Sequence, residues 1–213
     1  MKDYTIYWNK CWEEEAPEEL YKYLDMYRDM NSNEMEIFRA YGIEKVCDAA
    51  CGFGAYTLAF ASNGFDVFSF DISERAVEIT KQGLGKYSIE SANVRVASII
   101  DTGYETECFD GVIAHAVMDH LTYEDASKAL TELLRITRKE GLLMLTFDIA
   151  EAEDLEEEHI LHEDGTMEYT LGSRAGMLFL PYDWEKIEKF LEGYEVIHRA
   201  EKGSRERVVI VKK

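Results

Sequence analysis

From about residue 43 onward, short apolar runs alternate with longer stretches in which apolar residues recur at helical spacing. The runs predict strands at 44–50, 66–71, 93–98, 109–115 and 141–149, and the stretches predict helices near 55–63, 74–83 and 123–138. In the last helix Ala126, Ala129, Leu130, Leu133 and Leu134 share one face, and Gly141 follows its expected end. Alternation of this kind predicts an α/β fold, a parallel sheet with helices on both faces. Near the end, Pro181-Tyr182-Asp183-Trp184 opens a short helix carrying Ile187, Phe190 and Leu191. Two strands then follow, Glu195–Arg199 and Arg207–Lys212, joined by the turn-like Glu201-Lys202-Gly203-Ser204.

Residues 1–40 are unusually aromatic, with Trp8, Trp12, Tyr21, Tyr23 and Tyr27, and Pro17-Glu18-Glu19 reads as a helix start. Two readings stand for this segment: a helical flap sealing one sheet edge, or a lid over a binding site. Residues 151–164 contain eight acids, the pattern of a solvated loop or helix face. Residues 165–182 then mix glycines with Tyr169, Phe179 and Tyr182, a hairpin or a cap.

The densest chemistry lies in Val46-Cys47-Asp48-Ala49-Ala50-Cys51-Gly52-Phe53-Gly54-Ala55-Tyr56-Thr57, a buried strand, a Gly-x-Gly turn and a helix start. Glycine lets a ligand approach the backbone, and free N–H groups at the helix start favour an anionic group. Asp48 on the strand is costly unless it is used, whether by a ligand or by the turn amides. A second acid, Asp71, ends the next strand 17 residues beyond Gly54. A nicotinamide site requires a third glycine where Thr57 stands and has no evident use for Asp48.

This combination resembles the class I S-adenosylmethionine (SAM)-dependent methyltransferases, whose pattern is apolar-Asp-x-x-Cys-Gly-x-Gly followed by an acid ending the second strand. The resemblance covers about residues 43–149. Phe109-Asp110-Gly111-Val112-Ile113 looks like the family's fourth strand, and Arg135–Gly141 like its turn before the fifth, with Glu140 in place of the usual proline. It implies a doubly wound Rossmann-like sheet of seven strands, mostly parallel with one antiparallel strand, and an N-terminal helical lid. It also implies a single domain over 1–213, with 1–40 as lid and 151–182 as an acceptor-side insertion. SAM is then the cofactor and S-adenosylhomocysteine the product.

Carried onto this chain, the cofactor set is Asp48, Ala49, Cys51, Gly52, Gly54, Thr57, Asp71, Ile72, Ser98, Ile99 and His115. Asp48 would orient the cationic amine and Asp71 the ribose hydroxyls. Ser98 stands where the family usually has an acid for the adenine, with Asp101 as the other candidate, and Ile99 is a ring cover or plain core. His115-Ala116-Val117-Met118-Asp119-His120-Leu121 resembles the segment that lines the methionine arm and approaches the acceptor. His120 and Tyr182 are the catalytic candidates, although capping or structural burial is an equal reading of His120. Trp8, Trp12, His162, Tyr169 and Phe179 are the candidates for acceptor contact. No metal is expected: His115 and His120 need a third ligand, and Asp119 shares no helical face with both.

Composition narrows the partner. The chain has 213 residues, 43 acids against 23 bases and a formal net charge of −20, which repels a phosphate backbone at long range. The only prolines are Pro17 and Pro181, so the Pro-Pro-Tyr run of family members that methylate nucleic-acid amino groups is missing. No apolar run reaches the roughly 18 residues of a membrane span, and the start lacks the basic-then-apolar order of a secretion signal. Cys11, Cys47, Cys51 and Cys108 lack paired metal spacing and read as reduced. The expectation is a cytoplasmic small-molecule methyltransferase, monomer or homodimer, engaging neither nucleic acid nor membrane. A protein or RNA methyltransferase and a non-catalytic SAM-binding regulator are the alternatives.

Overall fold

The computed structural model describes residues 3–89 and 93–213, so Met1 and Lys2 of the 1–40 segment lie outside the described residues. Three helices come first, α1 (Thr5–Glu14), α2 (Pro17–Arg28) and α3 (Asn33–Ala40). The alternating body is β1 (Lys45–Ala49), α4 (Ala55–Ser62), β2 (Asp66–Asp71), α5 (Glu74–Lys86), β3 (Val94–Val96), β4 (Phe109–Ala114), α6 (Tyr123–Ile136) and β5 (Thr137–Asp148). An insertion follows, α7 (Ala152–Glu156) with β6 (His159–Leu161), β7 (Met167–Tyr169) and β8 (Leu178–Phe179). The chain closes with α8 (Trp184–Phe190), β9 (Glu195–Lys202) and β10 (Glu206–Lys212).

The large sheet has the order β3-β2-β1-β4-β5-β10-β9. Only β10 runs against its neighbours, so the seven-stranded, mostly parallel sheet is as the sequence predicts. Its strands are apolar on both faces, because helices cover both. Val46, Ile113, Met144 and Ile210 meet Met35, Phe38 and Phe60 of α3 and α4. Their neighbours Cys47, Val112, Leu143 and Val209 point the other way, toward Leu130 and Leu133 of α6 and Ile187 and Phe190 of α8. Chain order reverses between β1 and β4, which opens a crevice beyond their carboxyl ends.

Two boundaries differ from expectation. The helix predicted to 138 ends at Ile136, and β5 begins at Thr137 rather than 141. Thr137 Oγ1 donates to Leu133 O at 2.7 Å and closes the helix, and the β4–β5 register shifts between Phe109 and Gly111. Gly141 is therefore not a helix terminator. It lets β5 pass against β4, since a Cβ there would come within 2.5 Å of Asp110 O.

The 1–40 segment divides. Met35 and Phe38 of α3 are fully buried against the sheet, and Leu20, Tyr21 and Leu24 of α2 pack with α4 and α5. Trp8 and Trp12 of α1 line the crevice, as does Tyr27 of α2. The 151–182 insertion forms a separate three-stranded antiparallel sheet, β6-β7-β8.

Candidate active site

The crevice contains a cavity of about 310 Å³, lined by the β1 turn, the ends of β2 and β4, residues 97–100, and aromatic residues of α1 and α2. Asp48 forms its floor. Buried at the end of β1, it accepts from Thr57 Oγ1 at 2.6 Å, and Thr57 in turn meets Ser69 Oγ at 2.8 Å. Burial pushes its carboxyl up to about 6, against the opposing Thr57 hydrogen bond and the nearby His115.

Asp71 closes the next strand and holds the turn together. One oxygen accepts from Gly52 N and the other from Ser73 N, both at 2.9 Å. Burial raises its carboxyl while those two amides oppose the rise. A carboxylate oxygen has two lone pairs, so both oxygens can still accept from a ligand hydroxyl. Gly52 itself is left-handed (φ 54°), and its carbonyl accepts from Thr80 Oγ1 at 2.8 Å.

Helix α1 forms the roof. Tyr4 donates its hydroxyl to Asp125 Oδ2 at 2.9 Å and accepts from Thr122 N at 3.2 Å, which docks α1 on the start of α6. Trp8 meets the His120 ring edge-on at 5.3 Å, and Trp12 lies against Gly52 and Phe53. Tyr27 of α2 closes the side toward Tyr56, their rings 6.0 Å apart.

Two histidines form the far wall. His115 stacks obliquely on Tyr56 at 4.4 Å and pairs with Glu206 of β10 at 3.1 Å. Burial alone would raise Glu206, but the His115 contact holds it below the usual carboxylate range. His120 Nδ1 lies 2.9 Å from Leu178 O. Because a carbonyl only accepts, Nδ1 carries a proton, and in the neutral imidazole the lone pair is then on Nε2. Beyond His120 a second cavity of about 360 Å³ opens, lined among others by Asp148, Arg174, Phe179 and Arg205.

The methyltransferase-domain family, "Methyltransferase domain", matches residues 47–145, the stretch that contains Asp48, the glycine turn, Asp71, His115 and His120. That stretch is similar to a methyltransferase domain. An uncharacterized protein of Haemophilus influenzae is 30% identical over 108 residues, 50% of this chain and 43% of that protein. A tRNA (carboxymethyluridine(34)-5-O)-methyltransferase of Arabidopsis thaliana is 33% identical over 110 residues, 51% of this chain and 25% of that one. The chain thus spans less than half the length of these relatives. Among solved structures, a Pyrococcus horikoshii protein superposes with a TM-score of 0.71 at 17% identity, covering 91% of this chain and 98% of that one. Magnesium protoporphyrin IX methyltransferase from Synechocystis, solved with bound SAM, gives 0.59 at 18% identity over 91% of this chain and 79% of its own.

The cavity brings together Asp48, Cys51, Gly52, Asp71, Ile72, Ser98, Ile99, His115, His120, Trp8 and Trp12 of the residues singled out from sequence. Ala49 is buried in β1, Thr57 stands behind Asp48, and Gly54 (φ 86°) caps α4, so these three do not line it. Asp101 does not line it either; it bridges back to Ser98.

Four other candidates stand elsewhere. Tyr182 is only 1% exposed, packed on Phe147 at 4.7 Å and Phe190 at 5.4 Å, and so is a core residue without access to the cavity. His162 pairs with Glu168 at 3.0 Å beside an outer groove. Tyr169 donates to Asp154 O at 2.9 Å inside the insertion's small core. Phe179 faces His120 from the second cavity, their rings 6.1 Å apart. Sequence reasoning missed Tyr4, Tyr27, Phe53 and Tyr56 as cavity residues. The aromatic density of residues 1–40 was the available signal for the first two.

Proposed function

We propose that this chain transfers a methyl group from SAM to an O, N or S atom of a small molecule, as a single domain with α1 as lid. The observation that carries the reading is the roof. Trp8, Trp12 and Tyr27 close the cavity above two buried aspartates, which suits a compact acceptor better than a polymer. The net charge of −20 adds to it, since a phosphate backbone is repelled.

The residues present fit the cofactor. Asp48 offers a buried carboxylate to a cationic amine, Asp71 offers free lone pairs to a diol, and Gly52 lets a ligand approach the turn. SAM supplies a methyl group on a sulfonium that is already an activated leaving group. The protein's work is therefore alignment and exclusion of water, both served by the aromatic roof. His120, with its Nε2 lone pair, is the residue to orient or deprotonate an acceptor.

The Arabidopsis tRNA methyltransferase, matched over a quarter of its length, favours an RNA acceptor. Among the described residues no helix is long and apolar enough to cross a membrane, and the free cysteines fit a reducing, cytoplasmic setting. Incubation with SAM and a panel of small-molecule and RNA acceptors, followed by S-adenosylhomocysteine release, tests the proposal. Turnover with RNA alone would overturn the small-molecule reading, and SAM binding without turnover on any acceptor would favour a regulator.

A further inference from the structure

We propose that Asp119, His120 and Asp148 form a divalent-cation site in the wall between the two cavities. One ligand atom from each of the three lies within 4.8 Å of the others. Donors about 2.1 Å from an ion stand roughly 3–4.2 Å apart, so a slight contraction completes the set. The three come from different places in the fold. Asp119 and His120 belong to the short turn after β4, and Asp148 ends β5.

The second observation is an unmet buried charge. Asp119 is fully buried, and its Oδ2 accepts from Asp148 N at 2.8 Å. Its Oδ1 has no hydrogen-bond partner among the described residues, and the cluster it belongs to holds a second carboxylate, Asp148. Two carboxylates brought this close repel unless a cation or a proton lies between them. The imidazole is prepared as well, because the Leu178 carbonyl fixes the proton on Nδ1 and leaves Nε2 as donor.

Two carboxylates and one imidazole suit Mn²⁺ or Zn²⁺ better than Mg²⁺, which favours an all-oxygen shell. His120 and Asp148 both line the second cavity, so the remaining coordination positions are reached from there. His120 also lines the first cavity, which puts the ion beside the proposed cofactor. With Nε2 on the ion, His120 orients an acceptor hydroxyl or carboxylate oxygen through the metal instead of taking its proton; this step alone rests on the proposed methyl transfer. It differs from the His115–His120 pairing considered from sequence, because His115 is taken by Glu206.

Mn²⁺ titration of the whole chain, read by loss of the free-ion paramagnetic resonance signal, tests the site, with SAM binding measured separately by calorimetry. One Mn²⁺ per chain should bind, and Asp148→Asn should weaken it at least tenfold while SAM affinity and the melting temperature hold. Asp119→Asn should do the same if it folds, and Asp148→Asn decides the matter if it does not. Glu153→Gln, in the acidic surface run, should leave uptake unchanged. Equal Mn²⁺ uptake by wild type and Asp148→Asn would overturn the site, as would a protein that binds SAM and no Mn²⁺. Either result leaves the methyl-transfer reading standing. A chain that binds Mn²⁺ at these residues but never consumes SAM would keep the site and lose that reading.

Discussion

Trp12 of α1 rests on Gly52 of the β1 turn so closely that a Cβ built on Gly52 would come within 3.0 Å of the indole. Roof and glycine turn therefore share one contact, and Gly52 is also left-handed at φ 54°. Gly52→Ala meets both constraints. Left-handed backbone costs a non-glycine residue about 1–2 kcal/mol, so the melting temperature should fall by several degrees. SAM affinity, measured by calorimetry, should fall with it as Trp12 is displaced. An unchanged melt and unchanged affinity would show that the turn relaxes freely.

Asp71 serves the turn as well as the proposed ribose contact. Hydrogen bonds to a charged group are worth roughly 1.5–3 kcal/mol, so Asp71→Ala should weaken SAM binding about ten- to a hundredfold. Because Gly52 N and Ser73 N lose their acceptor, thermal stability should drop too. Asp71→Asn keeps one carbonyl oxygen and should lie between wild type and alanine in both measurements. SAM affinity unchanged in Asp71→Ala would mean that the ribose is held elsewhere.

Asp48 sets a pH dependence. Its carboxyl is raised to about 6, and a cationic amine binds only the ionised form well. SAM affinity should therefore be full above pH 7 and decline as the pH falls through 6. The same raised value means that the folded state binds more protons than the unfolded chain between about pH 4 and 6. This group's contribution to stability is then lost as the pH rises through that window. Asp48→Asn should flatten both profiles, and an affinity profile with the same inflection in Asp48→Asn would assign the titration to another group.

The docking of α1 can be tested without touching the sheet. Met35 and Phe38, which are fully buried, lie in α3, so deleting residues 1–15 leaves that packing in place. The deletion should reduce SAM affinity and turnover far more than thermal stability. Tyr4→Phe, which breaks the bonds to Asp125 and Thr122, should cost about 1 kcal/mol. Unfolding of the sheet on deletion would instead make α1 a structural flap.

Tyr182 and His120 should now part company. Tyr182 packs among Phe147 and Phe190 with a hydroxyl that lacks a partner among the described residues. Tyr182→Phe should keep turnover and be neutral or slightly stabilising, because it removes a buried unpaired polar group. His120→Ala should lower turnover at least tenfold. Comparable losses in both variants would restore Tyr182 to the reaction.

The sheet was legible from the chain alone because alternation is a local property: each strand and helix announces itself within a dozen residues. That Asp48, Gly52 and Asp71 would meet at one crevice was legible for the same reason, since they lie at the ends of adjacent elements at short spacing. The acceptor side was not. Tyr182, Tyr169 and His162 look as reactive in sequence as His120, and only packing shows that one is core, one serves the insertion and one pairs with Glu168. Tyr4 with Asp125, Trp12 with Gly52, and Asp119 with Asp148 meet across 121, 40 and 29 residues of chain. Contacts of that span depend on which strands lie side by side and which helix crosses their ends, and no local pattern of polar and apolar residues encodes them.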